Sequence, residues 1–446
     1  MSIVKHQLLP EEYTEFPFIK PADQLPTHPL NLTMFDGLQY ITMLDRYSLR
    51  DNTLKTLKVG DLIVTTVKEH PKYPTQGYGI VKEINGSDIL VKIQYPESIQ
   101  DDQGNLIDLD NFIVKRKHTF KPLELYWEQI AYRNAKAMAN VEKYDKEHWF
   151  EKFYWMLANK YFIPAGRILY GAGSGVDVTL FNCFVLPFIG DSRGKIIEHI
   201  GNATEIMARG GGVGSNISCL RPAKTKVWGV NGASSGSVSW ADYLSKLTHL
   251  IEQGGSRRGA QMIGLADWSP DVIAFIMCKI QNPFILDKIA KEIDNPLIKE
   301  TAEYFLVRND EGKPIGVRDK EFMTGANISV LISHDFMRAV ENDDDWRLRF
   351  PDIENMTKEE RDYYDEHWET IGDVREWEAR GLKTKVYYTL KARELWHLIN
   401  VCARYSAEPG IIFIDEANEK SNSYYYPNRE GKLVVTNPCG KQPCLK

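Results

Sequence analysis

The sequence has too few cysteines for a disulfide scaffold: Cys183, Cys219, Cys278, Cys402, Cys439 and Cys444 in 446 residues. Their spacing also lacks the paired CxxC knuckles of a zinc site. No apolar run reaches about 18 residues, which argues against a transmembrane helix. The start, MSIVKHQLLPEEY, has neither a long apolar core nor a small-residue cleavage site, so it does not read as a secretory signal. Unpaired thiols without an export signal point to a reducing, cytoplasmic setting, where a cysteine in an unusual context is a candidate for chemistry. Positive charge is not in excess either. The formal net charge is -6, so no whole-chain basic field is present to grip nucleic acid. Internal repeats and low-complexity tracts are absent. What remains is an ordinary globular balance, 43% hydrophobic and 26% charged, sufficient for a sizeable core. The length allows about two or three domains.

Residues 1–56 form a mixed, proline-rich N-terminal region with a short helical stretch near Phe35 to Arg50. Residues 57–120 change character. VGDLIVTTV, GYGIVKEI and DILVKIQY are β-branched runs of strand length, with turn chemistry at Asn85-Gly86 and Gln103-Gly104-Asn105. They predict a small all-β, SH3-like barrel serving as a spacer or interaction module. A nucleic-acid-binding role for 57–118 is opposed by its weak basicity.

Residues 121–160 return to helix. LELYWEQIAYRNAKAMANVE sets Ile130, Ala131, Asn134 and Met138 on or near one face, beside Trp127. KEHWFEKFYWMLANKYF sets Trp149, Phe153, Met156 and Leu157 at i, i+4, i+7, i+8, which predicts that face as core. From 161 to 446, apolar runs (FNCFVLPF, ANISVLI, PGIIFID, LVVTNP) alternate with helical stretches, the pattern of an α/β fold. Two charged stretches, 284–322 and 341–385, read as solvated helices and loops.

Four segments are candidates for chemistry. In Arg209-Gly210-Gly211-Gly212-Val213-Gly214 the glycines allow close backbone approach, and consecutive N–H groups can cradle a phosphate or ribose. The run is neither a dinucleotide GxGxxG nor a P-loop, and a tight structural turn is the plain alternative. In Gln253-Gly254-Gly255-Ser256-Arg257-Arg258-Gly259-Ala260, two adjacent guanidinium forks sit in a glycine-flexible loop. Such a loop suits phosphate or base-edge recognition, or else is a solvated turn. Cys183 lies in the apolar run LFNCFV, where a cysteine usually serves as a small hydrophobe. In Val434-Val435-Thr436-Asn437-Pro438-Cys439-Gly440, proline bars the preceding residue from helix, and a stiff loop displays a thiol. An ordinary turn has the same appearance.

Taken together and in order, FIPAGRIL, FNCFVLP, ARGGGVGSNISCLRP, SSGSVSW, GGSRRGAQM, LADWSPDVIAFIMCK, GANISV, ARELW, EPGIIFIDEAN and TNPCG resemble the catalytic chain of ribonucleotide reductases. The resemblance runs from about 161 to 440. It is weaker at LDRYSLRD and near 128–142, and the β module falls between those two. The Asn-Pro-Cys-Gly and GGGVG wording is more similar to the adenosylcobalamin-dependent (class II) enzymes than to the iron-dependent large subunit.

The resemblance implies the first half of a ten-stranded α/β barrel at 161–446, after a helical N-terminal region carrying an inserted small all-β module. It implies reduction of ribonucleotides to 2′-deoxyribonucleotides through a thiyl radical, generated by homolysis of the cobalt–carbon bond of adenosylcobalamin. Cys439 would carry the radical and remove the ribose 3′ hydrogen, and Asn437 would hydrogen-bond the substrate. Cys183 would be one of two cysteines that reduce the ribose and become a disulfide, recycled by a thioredoxin-like reductant. Asn182, Gly211 and Gly212 would lie along the substrate. Asp191, Ser192 and Arg221 would contact an allosteric dNTP or ATP, and the loop with Arg257 and Arg258 would relay effector identity. No metal ligand is expected, nor the Asp-x-His-x-x-Gly cobalamin motif, on which this class does not rely.

Two departures stand out. The family has a glutamate two residues after the radical cysteine, where this chain has Lys441, a cation at neutral pH and a poor base. The second barrel half, with the other reducing cysteine and the substrate phosphate loop, does not follow. Cys444-Leu445 is similar to the start of an intein. An intein junction, a natural variant with a plain truncation, and a split enzyme whose C-terminal half joins in trans all fit. The rival readings are a catalytically inactive nucleotide-binding fragment or paralogue and the large subunit of an iron-dependent reductase. A homodimer is compatible with the family, and no membrane contact is expected.

Overall fold

The computed structural model describes residues 18–26, 32–70, 74–101, 103–227, 232–253, 257–421 and 432–438, with backbone alone at 252–253 and 257–258. The chain divides into two compact units, 1–182 and 183–446.

In the first unit, strands Arg50–Asp51, Leu62–Lys68, Thr75–Asn85, Asp88–Tyr95, Phe112–Lys115 and Thr119–Pro122 form one antiparallel sheet. Asn85 pairs with Asp88 across a tight turn whose Gly86 has φ 63°, a conformation that glycine takes without strain. Alternation along Leu62–Lys68 covers both faces of the sheet. Leu62 and Val64 join Tyr40, Leu44, Trp127 and Ile130, whereas Ile63 and Val67 join Val81, Ile89 and Val91. Helices Gly37–Arg46 and Trp127–Val141 therefore close one face, so the β segment is packed into this unit instead of hanging from it as a spacer.

Helix Trp127–Val141 buries Ile130, Ala131 and Asn134 and leaves Met138 half-buried. Helix Lys146–Ala158 corrects the expected face. It buries Phe150, Tyr154, Leu157 and Ala158, while Trp149 is 41% exposed and Phe153 and Met156 are half-buried. Apolar residues nearly ring this helix. Two stripes one residue apart both met the spacing rule, and packing selected the other one.

The second unit is built on five strands: Cys183–Val185, Gly212–Asn216, Gln261–Ala266, Asn327–Ile332 and Gly410–Phe413. They lie side by side in chain order and all run parallel. Parallel neighbours need crossovers, and helices such as Arg193–Ala208, Ser237–Leu250 and Ala392–Ser406 supply them. This is the expected α/β fold. Three of the apolar runs are strands one, four and five. LVVTNP is not a strand: Leu433 to Val435 are buried but belong to none.

The charged stretches also need correction. Residues 341–385 hold strand Asp345–Pro351 and helix Lys358–Ile371, whose Tyr364, Trp368 and Ile371 sit in the main core with Trp346, Phe350 and Trp377. Trp368 Nε1 donates to the Cys219 carbonyl at 2.9 Å. In 284–322, Leu286, Ile289, Ile298, Ala302 and Leu306 join the same core. Charge occupies one face of each helix while apolar residues at i, i+4, i+7 fill the other, a pattern that bulk charge content conceals.

Candidate active site

Strand Gly212–Asn216 has two faces. Val213 packs with Ala203 and Met207 of the helix layer. Gly212, Gly214 and Asn216 face the opposite way, where the segment 432–438 crosses the sheet. A Cβ on Gly214 would sit 2.1 Å from the Thr436 carbonyl oxygen, and one on Gly264 would sit 2.8 Å from Val435 Cγ2. A Cβ on Gly212 would meet Pro438 Cγ at 2.9 Å and Cys183 Sγ at 3.3 Å. The glycine run thus has an internal cause besides any ligand: it is the bed on which 434–438 lies. Gly211 is filled similarly, by Ile206 and Phe184.

The segment runs from the C-terminal end of the sheet to its N-terminal end. Val434 lies at Asn216, the last residue of its strand, and Pro438 lies at Gly212, the first. Gly212 pairs with Cys183, itself the first residue of the neighbouring strand. Asn327, the first residue of strand four, donates its Nδ2 to the Pro438 carbonyl at 3.2 Å. The structure therefore brings Cys183, Gly212 and Asn327 together around Pro438, with Thr436 and Asn437 buried behind it. Asn182, just before Cys183, has a buried Oδ1 with no hydrogen-bond partner among the described residues. Cys439 and Lys441 lie outside the described residues, as does Cys444.

Thiol environment separates the described cysteines. Cys219, Cys278 and Cys402 are buried, whereas Cys183 is only partly so. Burial pushes the Cys402 thiol up to about 12 and the Cys278 thiol up as well, which leaves both inert as thiolates.

The expected effector residues form a separate cluster. Ser192 caps helix Arg193–Ala208, its Oγ accepting from the Lys195 N–H at 3.3 Å. Asp191 accepts from Arg221 Nε at 2.7 Å, from the Arg221 N–H at 3.0 Å and from the Tyr364 hydroxyl at 2.8 Å. Burial raises the Asp191 carboxyl, and the Arg221 guanidinium opposes that rise. The strands bearing Arg257 and Arg258 pair with Glu252–Gln253, and their side chains lie outside the described residues. That hairpin is tied to the glycine strand, because the Val213 N–H donates to the Ala260 carbonyl at 2.9 Å.

Sequence reasoning missed two groups. One is a buried polar chain behind the glycine strand: His199 Nε2 and Ser215 Oγ lie 2.8 Å apart, and Gln261 Nε2 donates to the same oxygen at 3.2 Å. Burial pushes the His199 imidazole down to about 4, so it is neutral. The other sits at the C-terminal end of the sheet. Arg375 bridges Asp373 and Asp415, and buried Asp267 accepts from the Ser333 N–H at 2.6 Å. Burial raises Asp267 to about 7. Only an alternation argument applied to GGGVGSN would have pointed to Ser215.

Comparison with known proteins agrees with this architecture. Residues 181–446 match the family described as ribonucleotide reductase, barrel domain, and residues 114–176 match ribonucleotide reductase, all-alpha domain. A vitamin B12-dependent ribonucleoside-diphosphate reductase of Thermoplasma acidophilum is 29% identical over 299 residues, 67% of this chain and 29% of that protein. A ribonucleoside-diphosphate reductase subunit alpha of Synechocystis is 30% identical over 312 residues, 68% and 35% of the two chains. The large chain from Cryptosporidium parvum is 27% identical over 287 residues, 64% and 30%. The chain spans about a third of the length of the curated relatives it matches.

Proposed function

This chain belongs to the ribonucleotide reductase family, and on that premise we propose that it carries the substrate- and effector-binding part of an oxidoreductase that converts ribonucleotides to 2′-deoxyribonucleotides. The observation that carries this reading is the meeting of Cys183 and Pro438, the neighbour of Cys439, against Gly212. Cys439 takes the ribose 3′ hydrogen as a thiyl radical. Cys183 is one of two thiols whose oxidation to a disulfide delivers two electrons to the sugar. A thioredoxin-like reductant restores the dithiol.

The groups around Pro438 (Gly212, the Ala260 carbonyl, Asn327 and Cys183) are small and uncharged, which suits close approach of a radical source to Cys439. Adenosylcobalamin is the group proposed, in keeping with the vitamin B12 dependence named for the Thermoplasma relative. When bound it supplies one-electron chemistry by homolysis of its cobalt–carbon bond. Asn437 holds the substrate, and Asn182 Oδ1, without a hydrogen-bond partner among the described residues, offers an acceptor. Asp191, Ser192 and Arg221 bind a dNTP or ATP at the start of helix Arg193–Ala208, where N–H groups favour an anion. Arg257 and Arg258 read that effector, and the Ala260–Val213 bond carries the reading to the glycine strand. Lys441 takes the sequence position of the family's glutamate, so another group or a desolvated lysine serves the 3′-hydroxyl. A second reading, the large chain of a two-subunit reductase without cobalamin, draws on the names of the Synechocystis and Cryptosporidium relatives.

The test is reconstitution with the remainder of a reductase chain, a dithiol reductant and adenosylcobalamin, followed by assay of deoxyribonucleotide. Product is expected with cobalamin and not without it. Product formed instead with a radical-generating subunit favours the second reading. No product with any complement, alongside retained dATP or dTTP binding, replaces both with an inactive nucleotide-binding chain.

A further inference from the structure

The segment 432–438 must satisfy its backbone polar groups with no more than a single β-bridge, at Thr436, because buried, unpaired N–H and C=O groups are costly. Three asparagine side chains meet part of this need. Asn418 acts at both ends of its amide: its Oδ1 accepts from the Leu433 N–H at 2.8 Å and its Nδ2 donates to the Leu433 carbonyl at 3.0 Å. Asn216 donates to the Val434 carbonyl at 2.6 Å, and its own Oδ1 is held by the Ser218 N–H at 2.8 Å. Asn327 donates to the Pro438 carbonyl at 3.2 Å. A side-chain amide carries the donor and acceptor of a peptide group, so these three supply part of what a neighbouring strand would.

The third bond matters most. The Pro438 carbonyl belongs to the peptide that enters Cys439, and a peptide is planar through both flanking Cα atoms. The Asn327 bond therefore ties the segment at the last of its described residues. Asn216 and Asn327 belong to strands of the same rigid sheet, and Asn418 lies on the helix Ile414–Lys420 that follows strand five.

We propose that Asn418, Asn216 and Asn327 form an amide clamp that holds 433–438, the lead-in to Cys439, in register on the sheet, which makes them positioning residues for the reaction. This rests on the reductase reading for its function but not for its structure. Without the clamp, the glycine bed permits the segment to lie down but does not fix its register.

Amide exchange and thiol alkylation on this chain test the clamp without turnover. Asn327→Ala is expected to raise the iodoacetamide rate at Cys439 about fivefold, the equivalent of one neutral hydrogen bond, and to leave Cys183 unchanged. Asn418→Ala is expected to speed exchange at the Leu433 N–H by a similar factor. Asn418→Asp keeps the acceptor and should retain that protection, which guards against a result caused by misfolding. In a turnover-competent assembly, Asn327→Ala should lower kcat with KM unchanged. Wild-type alkylation at Cys439 together with undisturbed Leu433 exchange in the alanine variants overturns the clamp. Failure of turnover with altered alkylation overturns only the reductase reading.

Discussion

The two ends of the parallel sheet are chemically opposite. The N-terminal end gathers Cys183, Gly212, Asn327 and Pro438, none of them charged. The C-terminal end gathers Asp267, Asp373, Arg375, Asp415 and Lys432 around the beginning of the same segment. In open α/β sheets ligands usually bind beyond the carboxyl ends of strands. Here the charged end anchors the start of the segment and the neutral end holds Pro438. The proposed radical thiol is better served by surroundings that do not deprotonate it, and none of the residues gathered at the neutral end is charged.

Variants can break this contrast. The largest effect is expected from Cys439→Ser or Cys183→Ser, which should abolish turnover in a reconstituted enzyme while leaving nucleotide effector binding intact; persistent turnover in the first removes it from the radical role. Gly214→Ala comes next. Its Cβ would lie 2.1 Å from a backbone oxygen, and the clash should cost about 3 kcal/mol in denaturant titration. Gly264→Ala, which meets the side-chain methyls of Val435 and Leu331 and no backbone atom, should cost less. Equal costs would mean that the segment does not rest on the glycine bed.

Two buried titratable groups sharpen the contrast through pH. Asp267 is raised from 3.8 to about 7, so the native state keeps a proton that the unfolded chain releases. Its stabilisation is complete below 3.8 and is lost as pH rises through 7. His199 is lowered from 6.5 to about 4, so its contribution is present above 6.5 and is lost as pH falls through 4. The two slopes oppose each other between pH 4 and 6.5. Asp267→Asn should steepen the loss of melting temperature on acidification, and His199→Gln should flatten it. The smallest effect concerns Thr436, whose buried Oγ1 has no hydrogen-bond partner among the described residues. Thr436→Val should leave the melting temperature unchanged or stabilise by up to about 1 kcal/mol.

Much of this was legible in the sequence, for physical reasons. Apolar runs of strand length between helical stretches gave away strands one, four and five. The glycine run announced a close backbone approach, but composition alone did not say what approaches, and part of the answer is Thr436 of the same chain. Val434-Val435 has strand composition and yet is no strand; the Leu433 and Val434 carbonyls accept from asparagine side chains distant in sequence. Asn216, Asn327 and Asn418 were invisible as a set, since asparagine is common and only the fold unites them. Helix Lys146–Ala158 was read one residue out of phase because it is apolar nearly all round. Charge masked Trp368 and Trp377, two of the largest fully buried side chains.

The proposed partnership of Cys439 with Cys183 rests on Pro438 and Cys183 meeting against Gly212. Treatment with a short bis-maleimide followed by peptide mapping tests it directly. A link between Cys183 and Cys439, with Cys219, Cys278 and Cys402 unlabelled, is the expected result. Cys439 modified singly, or linked to any other cysteine, would contradict it.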